Sequence, residues 1–260
     1  MAGLDWLTAR PVAHRGLHDA AAGVIENTAS AFEAAIVGNF AIECDIQLSA
    51  DGAAMVHHDH SLSRLTEGDG PLQTKTAAAL KAVPFKATAD RMLTLGELCN
   101  LTYGRVPLVI EIKSQFNGER RLVERAVAVL RAYHGSTALM SFDPDVVAAV
   151  REAAPGLPRG IVAMRHYRNA EWARLSAAQR RSMPHLLHAL RTRPHFVAYH
   201  VKDLPAPAPL LARYLFGLPL LTWTVRTPDD RANAARWATQ MIFEGFRPDQ
   251  GDMSARAFNA

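Results

Sequence analysis

With 260 residues, 49% of them hydrophobic, the chain is long enough for a sizeable buried core and fits one α/β barrel or two small domains, a single domain over 1–260 being the expectation. Its 29 basic and 25 acidic residues leave a formal charge of only +4, dispersed along the sequence, which argues against a nucleic-acid footprint. No apolar run reaches the ~18 residues that a bilayer span needs, so no integral membrane segment is expected.

The N-terminal residues lack the basic and apolar regions of a signal peptide. Cys44 and Cys99 match neither a zinc spacing nor a disulfide framework and read as free thiols of a reducing, cytoplasmic compartment.

In chain order, short apolar β-type runs alternate with helix-type runs. The expected strands are Pro11–His14, Phe40–Leu48, Pro107–Lys113, Thr137–Phe142, Arg159–Met164, Phe196–Val201, Leu218–Val225 and Thr239–Phe243. Helices are expected over Thr28–Val37, Gly118–Tyr133, Pro144–Ala153, Ala206–Phe216 and Pro228–Trp237, several opened by Asp, Thr or Pro start signals. Eight such units are typical of an α/β (β/α)8 TIM barrel, although a doubly wound open sheet has the same periodicity. The segment 49–101 breaks the rhythm. Ser-Ala-Asp-Gly at 49–52 reads as a hairpin turn into an extra strand, Ala53–His57, and an insertion between the second and third strand units is the simplest explanation.

Period two in the second strand turns Glu43 and Asp45 to one side and Cys44 to the other. Two converging carboxylates require either a solvated strand end with a basic partner or a cation. In the third strand Glu111 and Lys113 end an apolar run in the same way. Three carboxylates would suit Mg2+ or Ca2+ better than zinc, while Lys113 offers either a phosphate contact or a salt bridge. The first strand ends in His14-Arg15-Gly16, an imidazole and a guanidinium beside a residue that permits close backbone approach. The extra strand leads to His57-His58-Asp59-His60, whose spacing fits no zinc signature and of which one histidine suffices for catalysis.

Taken in order, His14-Arg15-Gly16, Glu26-Asn27-Thr28, Glu43-x-Asp45, Val56-x-His58-Asp59 and Glu111-Ile-Lys113 resemble the glycerophosphodiester phosphodiesterase family. Leu62-Ser-Arg64-Leu-Thr66, the helix start at Leu93-Thr-Leu-Gly-Glu97, Ser141-Phe-Asp143 and Trp223-Thr224-Val225 extend the likeness over nearly the whole chain. The resemblance implies a TIM barrel with a small insertion and a divalent metal, Mg2+ or Ca2+, held by Glu43, Asp45 and Glu111. It further implies that His14 and His58 are the general base and general acid, that Arg15 and Lys113 contact phosphate, and that Trp223 shapes the substrate pocket. The implied reaction takes a small-molecule glycerophosphodiester to glycerol 3-phosphate and an alcohol, with the neighbouring glycerol hydroxyl attacking first and water opening the cyclic phosphate.

The closing segment departs from the family pattern. Many members carry Gly-Val-Asp-Gly-Ile-Ile-Thr-Asp-x-Pro. Here Thr239-Gln-Met-Ile-Phe-Glu-Gly-Phe-Arg-Pro248 places Phe243 and Glu244 where threonine and aspartate are expected, a change directed at pocket shape or substrate choice. Two alternatives follow: head-group release from a lysophospholipid, suggested by Phe243 and Phe246, and a non-catalytic phosphodiester-binding protein. The sequence leaves the oligomeric state open.

Overall fold

The architecture comes from a computed structural model, which describes residues 3–169 and 172–249. Eight parallel strands close on themselves: β1 (Val12–Ala13), β2 (Ala41–Leu48), β4 (Leu108–Ile112), β5 (Thr137–Ser141), β6 (Arg159–Ala163), β7 (Phe196–His200), β8 (Leu220–Val225) and β9 (Gln240–Phe243). β1 pairs with both β2 and β9, and these two pairings distinguish a barrel from an open doubly wound sheet. Each expected strand is present. A short antiparallel strand, β3 (Ala54–Val56), returns from β2 after the 49–52 turn.

Alternation sorts the strand side chains into two cores. Val12, Ala41, Val109, Ala138, Val162, Ala198, Leu221 and Ile242 fill the barrel interior. Their neighbours Ala13, Ile42, Cys44, Ile110, Leu139 and Phe243 face outward and pack under the helices. These include α2 (Ala29–Val37), α4 (Leu95–Thr102), α5 (Arg121–Leu130), α6 (Pro144–Ala153), α9 (Pro207–Tyr214) and α10 (Pro228–Trp237). Start signals hold α4 and α10: Thr94 with Glu97, and Thr227 with Asp230, form capping boxes, each satisfying two otherwise orphaned backbone donors.

The irregular segment contains two kinds of structure. Ile25, Met55, Leu62, Leu72, Leu80, Phe85 and Met92 form a separate small core around β3 and α3 (Ala77–Ala82). α4 instead packs between α2 and α5, in the place of the crossover helix from β2 to β4. Two features have no counterpart in the sequence reading. α1 (Asp5–Thr8) sends Leu7 into the barrel interior and is tied to β9 by Gln240 Nε2, which donates to the Thr8 carbonyl at 3.0 Å. Between β6 and β7 lie the short helices α7 (Ala177–Ser182) and α8 (Ala189–Thr192). Among the described residues no helix is long and apolar enough to cross a membrane.

Candidate active site

The interior alternation that fills the lower barrel with apolar side chains delivers polar ones at the C-terminal strand ends. On β2, Ala41 is interior, so Glu43 and Asp45 are too; on β4, Val109 is followed by Glu111 and then Lys113. Asp45 and Glu111 are register partners across the β2–β4 pair. The ligand atoms of Glu43, Asp45 and Glu111 consequently lie within 4.8 Å of one another, all three residues buried. Such an all-oxygen donor set fits a hard divalent cation.

The electrostatics match that reading. Burial pushes the Glu43 carboxyl well up, and the charges of Asp45 and Glu111 push it further. Glu111 is likewise raised by burial, against the pull of Lys113. Asp45 goes the other way: burial alone would raise it, but Lys113, His58 and Arg15 hold it well below the usual carboxylate range. Lys113 Nζ sits 2.9 Å from Asp45 Oδ1 and 2.8 Å from Glu111 Oε1. The salt bridge that the sequence left as an alternative is therefore present, at a position bordering the cluster.

After β1 the chain turns sharply through Arg15 (φ 56°) and Gly16 (φ 82°). A side chain at 16 would put its Cβ 2.9 Å from the Ala31 backbone of α2, so the close approach requires glycine. The turn aims the Arg15 backbone N–H at Glu43 Oε2 (3.0 Å), places Arg15 Nη1 2.6 Å from Glu26 Oε1, and leaves Nε 3.4 Å from Asp45 Oδ2. That Nε–H is buried and makes no hydrogen bond of ordinary geometry, facing the Asp45 carboxylate as an ion pair. His14 is buried, with Nδ1 2.7 Å from Glu244 Oε2 and Nε2 3.9 Å from Glu43 Oε2. Burial lowers its pKa to about 4 despite the Glu244 hydrogen bond.

His58 reaches the site from the loop after β3. The His57 backbone N–H donates to the Asp45 carbonyl at 3.0 Å, and Gln47 Nε2 donates to the carbonyls of His57, His58 and Asp59 at 3.0, 3.0 and 2.6 Å. His58 Nδ1 is 2.7 Å from Asp59 Oδ1. Arg64 then joins Asp59 to Glu26, whose carboxyl is held at about 2 as the Arg64 and Arg15 contacts overcome burial. The other two histidines point elsewhere: His57 is buried with Nε2 unpartnered, and His60 meets Gln115.

Trp223, interior on β8, is half-buried, donates Nε1–H to the Ala198 carbonyl at 3.3 Å, and packs against Phe142 (5.4 Å) and His200 (5.1 Å). A pocket beside Glu111 and Lys113 is walled by Phe116, Phe142 and Trp172. Phe243 does not join it. The residue faces outward and packs on Phe40 and Phe246, so it contributes no apolar surface to the site.

Sequence reasoning assigned no role to Asn27, Gln47, Arg64 or Glu244. Asn27 Nδ2 donates to Asp45 Oδ2 at 2.9 Å. Gln47 had a signal, since it continues the Glu43-x-Asp45 alternation; Arg64 and Asn27 depend on loop paths that no periodicity reveals.

Residues 14–252 match the model of the glycerophosphoryl diester phosphodiesterase family. The chain belongs to this family. A glycerophosphodiester phosphodiesterase of Caldanaerobacter subterraneus subsp. tengcongensis is 32% identical over 161 residues, 58% of this chain and 65% of that protein. One from Bacillus subtilis is 29% identical over 171 residues, 56% and 57% of the two chains. In these alignments the chain spans less than two thirds of the length of its curated relatives. Among solved structures, an Oleispira antarctica phosphodiesterase in complex with the product sn-glycerol-3-phosphate has a TM-score of 0.73 at 19% identity, covering 94% of this chain and 92% of that one. A glycerophosphodiester phosphodiesterase of Thermotoga maritima gives 0.67 at 22%, covering 94% and 95%. At these identities the structures support the barrel fold.

Proposed function

We propose that this family member hydrolyses glycerophosphodiesters to glycerol 3-phosphate and an alcohol, within one barrel domain bearing an inserted segment. The observation that carries the reading is the convergence of Glu43, Asp45 and Glu111 at one barrel mouth, with an imidazole reaching it from β1 and another from the loop after β3. The names of the curated relatives and the product held by the Oleispira structure support the same substrate class.

Glu43, Asp45 and Glu111 would hold the divalent ion, Mg2+ or Ca2+, which when bound supplies positive charge against a phosphoryl oxygen. Arg15 and Lys113 bind the remaining phosphate oxygens and stabilise charge developing on them. His14 and His58 divide the proton work, one taking a proton from the attacking hydroxyl and the other giving one to the leaving alcohol. Phe116, Phe142 and Trp172 wall the pocket, with Trp223 packed against Phe142, and exclude water from one side of the substrate. The buried free thiols Cys44 and Cys99 fit a reducing compartment, and we assign the chain to the cytoplasm.

Incubation of the purified chain with glycerophosphocholine or glycerophosphoethanolamine tests the proposal. Release of glycerol 3-phosphate should stop in chelator and return with Mg2+ or Ca2+. Turnover indifferent to chelation would rule the mechanism out.

A further inference from the structure

The divergent last strand is followed at once by Glu244, which the proposed reaction leaves without a task. Its location follows from register. β9 pairs with β1 so that Val12 faces Ile242 and Ala13 faces Phe243, and the next step along both chains sets His14 beside Glu244. Both backbones are fixed there: the His14 N–H donates to the Phe243 carbonyl at 2.9 Å, and the Glu244 N–H donates to the Val225 carbonyl at 3.0 Å. Phe243, locked outward between Phe40 and Phe246, sets the parity that turns Glu244 inward.

Glu244 Oε2 lies 2.7 Å from His14 Nδ1. An ionised carboxylate only accepts, so Nδ1 carries the proton and the lone pair of a neutral imidazole resides on Nε2, the nitrogen on the side of Glu43. Arg226 grips the same carboxylate, with Nη2 2.9 Å from Oε2 and Nε 3.3 Å from Oε1. Burial alone would raise the Glu244 carboxyl, but the contacts from His14 and Arg226 hold it below the usual range, and so ionised. The second histidine is built alike, His58 Nδ1 on Asp59 and Asp59 on Arg64.

We infer that Glu244 is the positioning residue of His14, fixing its Nδ1–H tautomer and aiming Nε2 at the reacting diester, while Arg226 keeps Glu244 in that pose. The inference rests on the hydrolytic reading only in requiring His14 to exchange a proton with substrate.

Nitrogen-15 NMR of the histidine-labelled 260-residue chain, with the His14 signals assigned by their loss in His14→Gln, reads the tautomer without any turnover. The unsubstituted chain should show a protonated Nδ1, and Glu244→Ala should shift the population towards Nε2–H. In kinetics, Glu244→Ala should lower kcat about 10- to 100-fold, less than loss of the imidazole itself. KM and divalent-ion affinity should stay within about threefold, as befits a group that holds neither substrate nor ion. Glu244→Gln, which keeps an acceptor for Nδ1–H, should recover part of the loss, and Glu244→Ala should add nothing to His14→Ala. An Nε2–H tautomer in the unsubstituted chain overturns the inference, as does a kcat loss additive with His14→Ala. Should Glu244→Ala fail to fold, the unsubstituted spectrum and Glu244→Gln decide. A chain that turns over no diester defeats the hydrolytic reading, and the NMR result still judges the tautomer.

Discussion

The two sides of the barrel mouth are built from the same alternation and differ in chemistry. The β1–β2–β4–β9 side presents His14, Glu43, Asp45, Glu111, Lys113 and Glu244, cross-linked by charge. The β5–β8 side presents Phe142, His200 and Trp223 in ring contact, backed by Trp172 and Tyr167. Inward parity therefore decides where a side chain arrives, and on the proposed reading residue type would divide the work: phosphate and protons on one side, the rest of the substrate on the other. If that division holds, substitutions on the charged side reduce kcat, and those on the aromatic side change KM. The largest effect belongs to the imidazoles. Replacing His14 or His58 by alanine should reduce kcat by roughly 10²- to 10⁴-fold with little change in KM, measured as glycerol 3-phosphate release. A loss under about threefold from both variants would end the assignment of proton transfer to this side.

The next effect is one of stability. Lys113, mostly buried, stands between Asp45 and Glu111 as the cation nearest both. Lys113→Met would leave two buried carboxylates facing each other, and breaking a buried pair costs about 3–5 kcal/mol. Urea denaturation in chelator should register a loss of about that order, and Mg2+ or Ca2+ should restore part of it. No recovery with either ion would indicate that the cluster does not hold a cation.

How much of this contrast was legible in the sequence differs between the two sides. The eight strands were readable because each is an apolar run bounded by turn and helix signals, and Glu43, Asp45 and Glu111 because period two put them on a common face. Closure was not, since it lies in the β1–β2 and β1–β9 pairings, which join residues far apart in the chain. For the same reason Glu244 was noticed only as a departure from pattern: parity could turn it inward, but only the β1–β9 register seats it beside His14. Phe243 shows the reverse error. Its aromatic character suggested a lysophospholipid substrate, yet the parity that makes Glu244 interior makes Phe243 exterior. α1, at four residues, was too short for any periodicity, and the aromatic side draws Phe116, Tyr167 and Trp172 from loops, where no repeat announces direction.

On the aromatic side, Trp223→Ala should raise KM about tenfold for diesters with a bulky alcohol, the scale of losing apolar contact in a pocket, while kcat stays within about threefold. Comparing glycerophosphocholine with smaller and with acylated diesters would sharpen the division. A fall in kcat equal to the rise in KM would instead make Trp223 part of the reacting geometry.

The smallest effect tests the charged side through pH. Without an ion, the raised pKa values of Glu43 and Glu111 mean that the fold favours their protonated forms, so rising pH forces charge into a buried cluster and weakens their contribution to stability. An ion requires the opposite state and displaces those protons. The stabilisation it confers should therefore grow as pH rises from the ordinary carboxylate range towards the raised values. Other groups here do not reverse the trend: His14 is neutral above about 4, Lys113 is pushed upward and stays charged, and Asp45, Glu26, Asp59 and Glu244 are held below the usual carboxylate range, losing their stabilisation only as pH falls through their depressed values. Thermal scans in chelator and in Mg2+ or Ca2+ should show an ion-induced rise in Tm larger at about pH 8 than at about pH 5.5, by roughly 2–4 °C, the equivalent of about 1 kcal/mol at this chain length. An increment that is the same at both pH values would mean that ion binding releases no proton from the cluster over this range, against the raised values of Glu43 and Glu111.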